Sequence, residues 1–334
     1  MQQKNMSIEA FRFIFMTVLC LWHIGDMVHI FYHGYLIVEF FFILSGIFIY
    51  QTYRKYPRLG IYDYAIKRFK RLWVEYFIVT IIVFCMYKRM CLSDPSLFNM
   101  KTLSQFFSET LLLQNIGFFF APNNWASWYL SVLLIGSVII YSLLKNYGRH
   151  VLQFIMPTTC IAIYTLLFSL GDERTFEHWE TIYGLNMPLL RGIADMSVGV
   201  LLSHILYTRK SFFIHHIRKV NISSILCCIF IFIILYVEKQ DDAYMLLFIP
   251  PFIVGLFCEN SLLNKWFTGT VWHFLGGLSY EMYLMHIVIR GILRYTGLSQ
   301  LSSYLLIVIY LTLVIISAYL LKQVGKIIRA KIGW

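Results

Sequence analysis

Charge is scarce in this sequence. Of its 334 residues only 13% are Asp, Glu, Lys or Arg, against 59% hydrophobic and 18% aromatic, and the mean hydropathy is +0.68. That balance excludes a soluble globular protein. Acidic residues are scarcer than basic ones, 17 against 28, giving a formal net charge of +11. The basic residues are spread over several loops with no recognition module, so no nucleic-acid partner is expected. Seven cysteines, Cys20, Cys85, Cys91, Cys160, Cys227, Cys228 and Cys258, stand at no metal-ligand spacing; they read as small core hydrophobes, and no metal is expected. No small-x-small pattern follows the first apolar stretch, which carries His23 and Asp26 near its end, so that stretch is not read as a cleavable signal peptide. The alternation of an outer-membrane strand is missing throughout. There is no strong repeat and no low-complexity segment, and no appended soluble domain is expected, so the chemistry is expected to come from a bundle and its loops.

What is there is a series of apolar windows long enough to cross about 30 Å of hydrocarbon. They lie at 9–26, 34–52, 70–88, 126–144, 151–170, 189–206, 220–237, 242–258, 273–293 and 302–321, the one at 242–258 being the shortest. The expected architecture is an all-α, polytopic membrane protein: ten transmembrane helices in a single domain over 1–334, closed by a basic tail at 322–334. Arg54, Lys55, Arg58, Lys67, Arg68, Lys70 and Arg71 follow the second window; Lys145 and Arg149 follow the fourth; Arg209, Lys210, Arg218 and Lys219 follow the sixth; Lys322, Lys326, Arg329 and Lys331 follow the tenth. Every strongly basic loop thus follows an even-numbered helix, which places both termini in the cytoplasm. The opposite loops agree, with Asp172, Glu173, Glu177 and Glu180 in one and Glu238, Asp241 and Asp242 in another. Membrane lipids are the partners this charge distribution implies.

Arg12 and His23 are eleven residues apart in the first window. Eleven steps of 100° leave a remainder of about 20°, so both fall on one stripe, roughly 16 Å apart. Ionisable groups at membrane depth mark a pathway or a site; the plainer alternative is a snorkelling arginine and a histidine that bonds a neighbouring helix. By the charge-derived topology Arg12 enters near the cytoplasmic surface and His23 lies about 22 Å further along. His286, about thirteen residues into the ninth window, reaches a similar depth, so two histidines are expected to face one cavity. A neutral imidazole takes a proton from a hydroxyl near neutral pH.

Glu39 is a lone carboxylate near the start of the second window, able to orient His23 or to bind a sugar hydroxyl, or else an interfacial residue in water. His29 and His33 stand at i, i+4, weak evidence for a metal without a third ligand. Lys67-Arg68-Phe69-Lys70-Arg71 heads the third window: it can grip phosphates through charge-assisted bonds or serve as an orientation signal. His286, Arg290 and Arg294 form one basic stripe at i, i+4, i+8. With Arg191 these arginines run against the positive-inside trend, which anionic-substrate binding or snorkelling explains.

Arg12 and His23 in an Arg-x10-His spacing, Val38-Glu39-Phe40-Phe41-Phe42-Ile43-Leu44-Ser45-Gly46, the basic cluster at 67–71, Trp128-Tyr129-Leu130-Ser131 and Leu278-Ser279-Tyr280-Glu281-Met282-Tyr283-Leu284-Met285-His286 together resemble the type 3 membrane acyltransferase family. Its members O-acylate glycans and other envelope molecules. The resemblance covers essentially the whole chain. It departs at Val74, where a proline often follows the basic cluster, and around Val132, where many members carry an acidic residue, so Trp128 receives no catalytic role.

The resemblance implies an O-acyltransferase of the bacterial cytoplasmic membrane. It would move an acyl group, acetyl by expectation, from cytoplasmic acyl-CoA to a hydroxyl of a cell-surface polysaccharide or a lipid-linked glycan precursor. Acyl-CoA is a co-substrate, and no permanently bound cofactor is expected. Arg12, Lys67, Arg68 and Arg71 would hold its phosphates. His23 would deprotonate the acceptor or carry the acyl group itself, and Glu39, Arg191, His286 and Arg290 would line an acceptor site open to the outer side. The rival from another class is a transporter or flippase for a lipid-linked or acidic glycan, with Arg and His along its path. Few Gly- or Pro-interrupted helices and no evident inverted repeat speak against it.

Overall fold

The computed structural model describes residues 5–93, 99–114, 124–169, 174–177, 181–182 and 184–334. Fourteen α-helices carry the described residues: α1 Met6–His23, α2 Ile37–Lys55, α3 Ile61–Ser93, α4 Met100–Thr110, α5 Trp128–Tyr147, α6 Met156–Phe168, α7 Met187–Thr208, α8 Lys210–His215, α9 Ile217–Tyr236, α10 Ala243–Phe257, α11 Leu262–Trp266, α12 Thr270–Gly276, α13 Ser279–Tyr295 and α14 Ser303–Ile332. A two-residue antiparallel hairpin, β1 Thr181–Ile182 and β2 Leu185–Asn186, precedes α7. The protein is all-α and multi-pass.

Among the described residues seven segments are long and apolar enough to cross a bilayer: Met6–His23, Gly34–Lys55, Trp125–Tyr147, Val151–Phe168, Met187–Thr208, Ile217–Tyr236 and Ser303–Ile332. The remaining windows fall on α3, α10, and α12 with α13. α10 and α13 are only 15 and 17 residues long, and Glu75 breaks the apolar stretch of α3. The window at 273–293 is two helices rather than one, since α12 ends at Gly276 and α13 begins at Ser279. A Cβ on Gly276 would lie 2.2 Å from the Glu9 carbonyl oxygen, so α12 packs backbone to backbone on α1. The first helix ends at His23, three residues short of its window, with a turn through Gly25 whose N–H bonds the Trp22 carbonyl at 3.0 Å. The basic segment expected as a tail continues α14 as far as Ile332.

The chain folds into two compact units. The first comprises Met1–Leu59, Ile139–His178 and Leu190–Ser279; the second comprises Gly60–Val138, Trp179–Leu189 and Tyr280–Trp334.

In the first unit four phenylalanines tie α1, α2 and α10 together. Phe11 and Phe15 stand 4.7 and 5.8 Å from Phe252, and Phe15 stands 4.8 Å from Phe40, ring centre to ring centre. The crossing of α2 and α7 is tighter still. A Cβ on Gly46 would come within 2.0 Å of the Met196 carbonyl oxygen, and one on Gly199 within 2.0 Å of the Ile43 carbonyl oxygen. Only glycine lets the two backbones touch, a recurrent solution between membrane helices, where lipid tails are as apolar as leucine and close packing must supply the attraction. Glu39 sits seven residues before Gly46, and Arg191 eight before Gly199, two turns from the crossing on each helix.

In the second unit α3 and α14 pack together. Arg329 donates to Glu75, and Trp73 stacks on Phe77 at 4.6 Å and meets Trp334 at 5.6 Å. A Cβ on Gly325 would collide with the Glu75 carboxylate.

Gly199→Ala is therefore expected to lower stability by about 3 kcal/mol, the upper range for overpacking, because the obstacle is backbone. Gly291→Ala, whose new methyl would meet only the flexible end of Met86 at 3.0 Å, should cost less than about 1 kcal/mol. Detergent-denaturation midpoints of the two variants check the contrast.

Candidate functional site

α1 holds the Arg-x10-His pair. Its first turn is capped by Asn5, whose side chain accepts from the N–H groups of Ser7 and Ile8 and whose amide donates to the Leu256 carbonyl at 2.5 Å. Arg12 Nη1 donates to both oxygens of Glu9, at 3.0 and 3.2 Å. Glu9 is buried and Arg12 mostly so. The i, i+3 spacing that makes this pair is visible in the sequence, yet the reading above gave Arg12 to a ligand and left Glu9 aside. His23 is the last residue of α1, half-buried, with its ring 4.6 Å from that of Trp22.

Glu39 and Arg191 meet. Arg191 Nε donates to Glu39 Oε1 at 2.5 Å, Nη2 donates to the same oxygen, and Nη1 donates to the Phe176 carbonyl. Glu39 is fully enclosed and Arg191 is 4% exposed. Asp195, one turn along α7 and also fully enclosed, accepts from the Tyr164 hydroxyl at 2.7 Å and interacts with Glu39. The Phe176 peptide is held from both sides, since its N–H donates to Asp242 Oδ2 at 2.8 Å while its carbonyl serves Arg191. Asp242 Oδ1 takes the Tyr35 hydroxyl at 2.8 Å. His33 stands 3.1 Å from that hydroxyl through Nδ1 and 3.1 Å from the Glu238 carbonyl through Nε2. Its two ring nitrogens thus serve this network. Among the described residues no group of three His, Cys, Asp or Glu side chains is placed to hold a metal.

The two acceptor-site residues predicted on α2 and α7 are thus brought together, as each other's partners. Asp195, Tyr164 and Asp242 were missed. Tyr164 lies singly in an apolar window, Asp195 was passed over although Arg191 stands four residues before it in the same window, and Asp242 was counted only as an acidic loop residue. Asp172, Glu173 and Glu180, used for topology, lie outside the described residues.

In the second unit, α3 presents Lys67 and Arg71 to the exterior, while Arg68 turns inward. The Arg68 Nε and Nη2 atoms are buried and have no hydrogen-bond partner among the described residues. His286 is fully enclosed on α13, and Arg290 is half-buried one turn on. His286 Nδ1 lies 2.5 Å from the Tyr283 carbonyl, its own helix's acceptor. Nδ1 therefore carries the hydrogen, and Nε2 is the basic nitrogen. Tyr283 in turn donates its hydroxyl to the Ala126 carbonyl. Gln114, buried, donates to Tyr76 at 3.0 Å and to Ser127 Oγ at 3.2 Å, and Ser131 donates to the Gln114 carbonyl and, at 2.8 Å, to that of Trp128. The Trp-Tyr-Leu-Ser segment therefore anchors a polar knot at the start of α5. His23 and His286 belong to different units.

A family model described as an acyltransferase domain, that of the type 3 acyltransferases, matches residues 5–322. The chain belongs to this family. The match covers both units, so this type 3 acyltransferase is a multi-pass membrane acyltransferase. No curated protein and no solved structure matches the chain.

The Glu39–Arg191 arrangement predicts a stability effect. Arg191→Met leaves two enclosed carboxylates without their cation and should cost about 3–5 kcal/mol, the range for breaking one side of a buried pair. Lys210→Met removes a surface pair with Glu259, 2.7 Å long and more than half exposed on both sides, and should cost less than about 1 kcal/mol. Comparison of denaturation midpoints in detergent checks both.

Proposed function

We propose that this membrane acyltransferase is an O-acetyltransferase of the bacterial cytoplasmic membrane. The donor is acetyl-CoA from the cytoplasm. The acceptor is a hydroxyl of a cell-surface polysaccharide or of its lipid-linked precursor. Both termini lie in the cytoplasm in this reading, as the basic loops require.

The observation that carries a phosphate-bearing donor is Arg68. A guanidinium with two enclosed nitrogens and no protein partner among the described residues is expensive unless an anion completes it. Its planar fork suits the oxygens of a phosphate. Lys67 and Arg71, exposed on the same helix, add attraction rather than geometry. Arg12 is supported less well as a phosphate ligand, because Glu9 already compensates it.

His23 is the proposed base. The acceptor hydroxyl gives its proton to the imidazole as its oxygen bonds to the thioester carbonyl carbon. The carbon–sulfur bond then breaks, and the departing thiolate takes that proton, leaving ester and thiol with no net proton change. His23 stands half-buried at the end of its helix. His286 and Arg290 are the proposed acceptor-binding residues of the second unit. Glu39 and Arg191, locked to each other, support the reading through the architecture they hold.

Two measurements test the proposal separately. His23→Gln should lower transfer of radiolabelled acetyl from acetyl-CoA to envelope glycan by at least about a hundredfold with membrane abundance unchanged; near-normal transfer would sink the assignment of the base. Arg68→Lys keeps the charge but loses the fork. It should raise the apparent KM for acetyl-CoA about tenfold with the acceptor KM unchanged, whereas Lys67→Gln should do far less. Equal KM values for Arg68→Lys and the parent protein would remove Arg68 from the donor site.

A further inference from the structure

An open groove of about 460 Å³ runs along the first unit between α9 and α10. Lys219, Ile222, Leu226, Cys227 and Phe230 line it from α9, and Phe248 lines it from α10. The α9 residues recur at three- and four-residue intervals, so they make a single face of that helix. From Lys219 to Phe230 the face spans eleven helical steps, roughly 16 Å, which is about half the hydrocarbon thickness and hence one leaflet. One end is closed by Phe230 and Phe248, stacked at 5.0 Å with their planes 16° apart. At the other end, in the first turn of α9, Lys219 stands exposed beside Arg218. Beside the groove, Ser224 and Gly255 hold the helices close, for a Cβ on Gly255 would fall 2.3 Å from that of Ser224.

α9 is a spanning segment of which only a third is buried, and Ile222, Leu226 and Phe230 are each about half exposed. This face therefore meets hydrocarbon, and water would gain nothing there. An occupant must be apolar over one leaflet's depth and anionic at the Lys219 end, where a cation sits at the interface. We propose that the groove holds one acyl chain of an anionic phospholipid, its phosphate resting on Lys219. The site is independent of the acyl-transfer reading. It assigns α9 and α10 a bound lipid in place of a freely exchanging boundary layer.

Delipidated full-length protein in detergent is titrated with phosphatidylglycerol and, separately, with phosphatidylcholine carrying the same chains, and bound lipid is counted by native mass spectrometry. One phosphatidylglycerol per chain should bind at least about fivefold more tightly than phosphatidylcholine, the worth of one interfacial lysine. Lys219→Gln should erase that preference. Ser223→Trp, which places an indole in the groove, should remove the tight adduct altogether. Equal affinity for the two lipids, or a preference untouched by Lys219→Gln, overturns the proposal. In case Ser223→Trp does not fold, a phosphatidylglycerol with a photoreactive diazirine in its chain gives a second readout on the parent protein. Crosslinks at Leu226, Phe230 or Phe248 are expected, and crosslinks confined to other helices overturn the proposal.

Discussion

Glu39 and Arg191 are ions in a place where water cannot reach them, and much of the first unit is arranged so that they can stay there. An uncompensated charge at that depth is costly, and even a paired one must recover its desolvation through several short contacts. Arg191 gives one fork to Glu39 and its remaining nitrogen to the Phe176 carbonyl. The Gly46–Gly199 contact two turns away makes this geometry possible, because any larger residue would hold α2 and α7 apart. Glycine crossing, ion pair and the doubly held Phe176 peptide form one dependency, running from residue choice to helix spacing to electrostatics.

The sequence carried the helices well because the bilayer reduces the problem to one question, whether about twenty residues can sit in hydrocarbon. Each apolar window falls on helix, and the family match bears out what the motifs at Arg12, His23, Glu39 and Arg68 resembled. The miss at 273–293 has a local cause: Gly276 does not interrupt the hydropathy window, but it ends α12 and lets that helix touch the Glu9 backbone. A hydropathy average does not register that use. The polar partners were illegible for another reason. Glu39 to Arg191 spans 152 positions and Arg329 to Glu75 spans 254, and nothing in spacing or composition says which distant cation meets which carboxylate. Glu9, only three residues from Arg12, was legible.

Partnering also separates cations that composition treats alike. Arg12, Arg191 and Arg329 each end on a carboxylate. At each of them a ligand would have to displace a partner already in place. The two enclosed nitrogens of Arg68 end on no described protein atom. That contrast separates compensated cations from one without a carboxylate among the described residues, a distinction which the positive-inside rule, counting charges alone, does not draw.

The length of α3 has a consequence of its own. Thirty-three residues make a rod of about 50 Å, against about 30 Å for the hydrocarbon of a bilayer. The polar stretch of α3 from Ile61 to Phe69 carries Lys67 and Arg68, ahead of the apolar stretch that starts near Lys70. α14 is nearly as long, and its Arg329, with Trp334 just after it, meets α3 at Glu75 and Trp73, about one turn beyond Lys70. The charged start of α3 is thus continuous, within one unbroken helix, with the part that Arg329 and Trp334 hold in place.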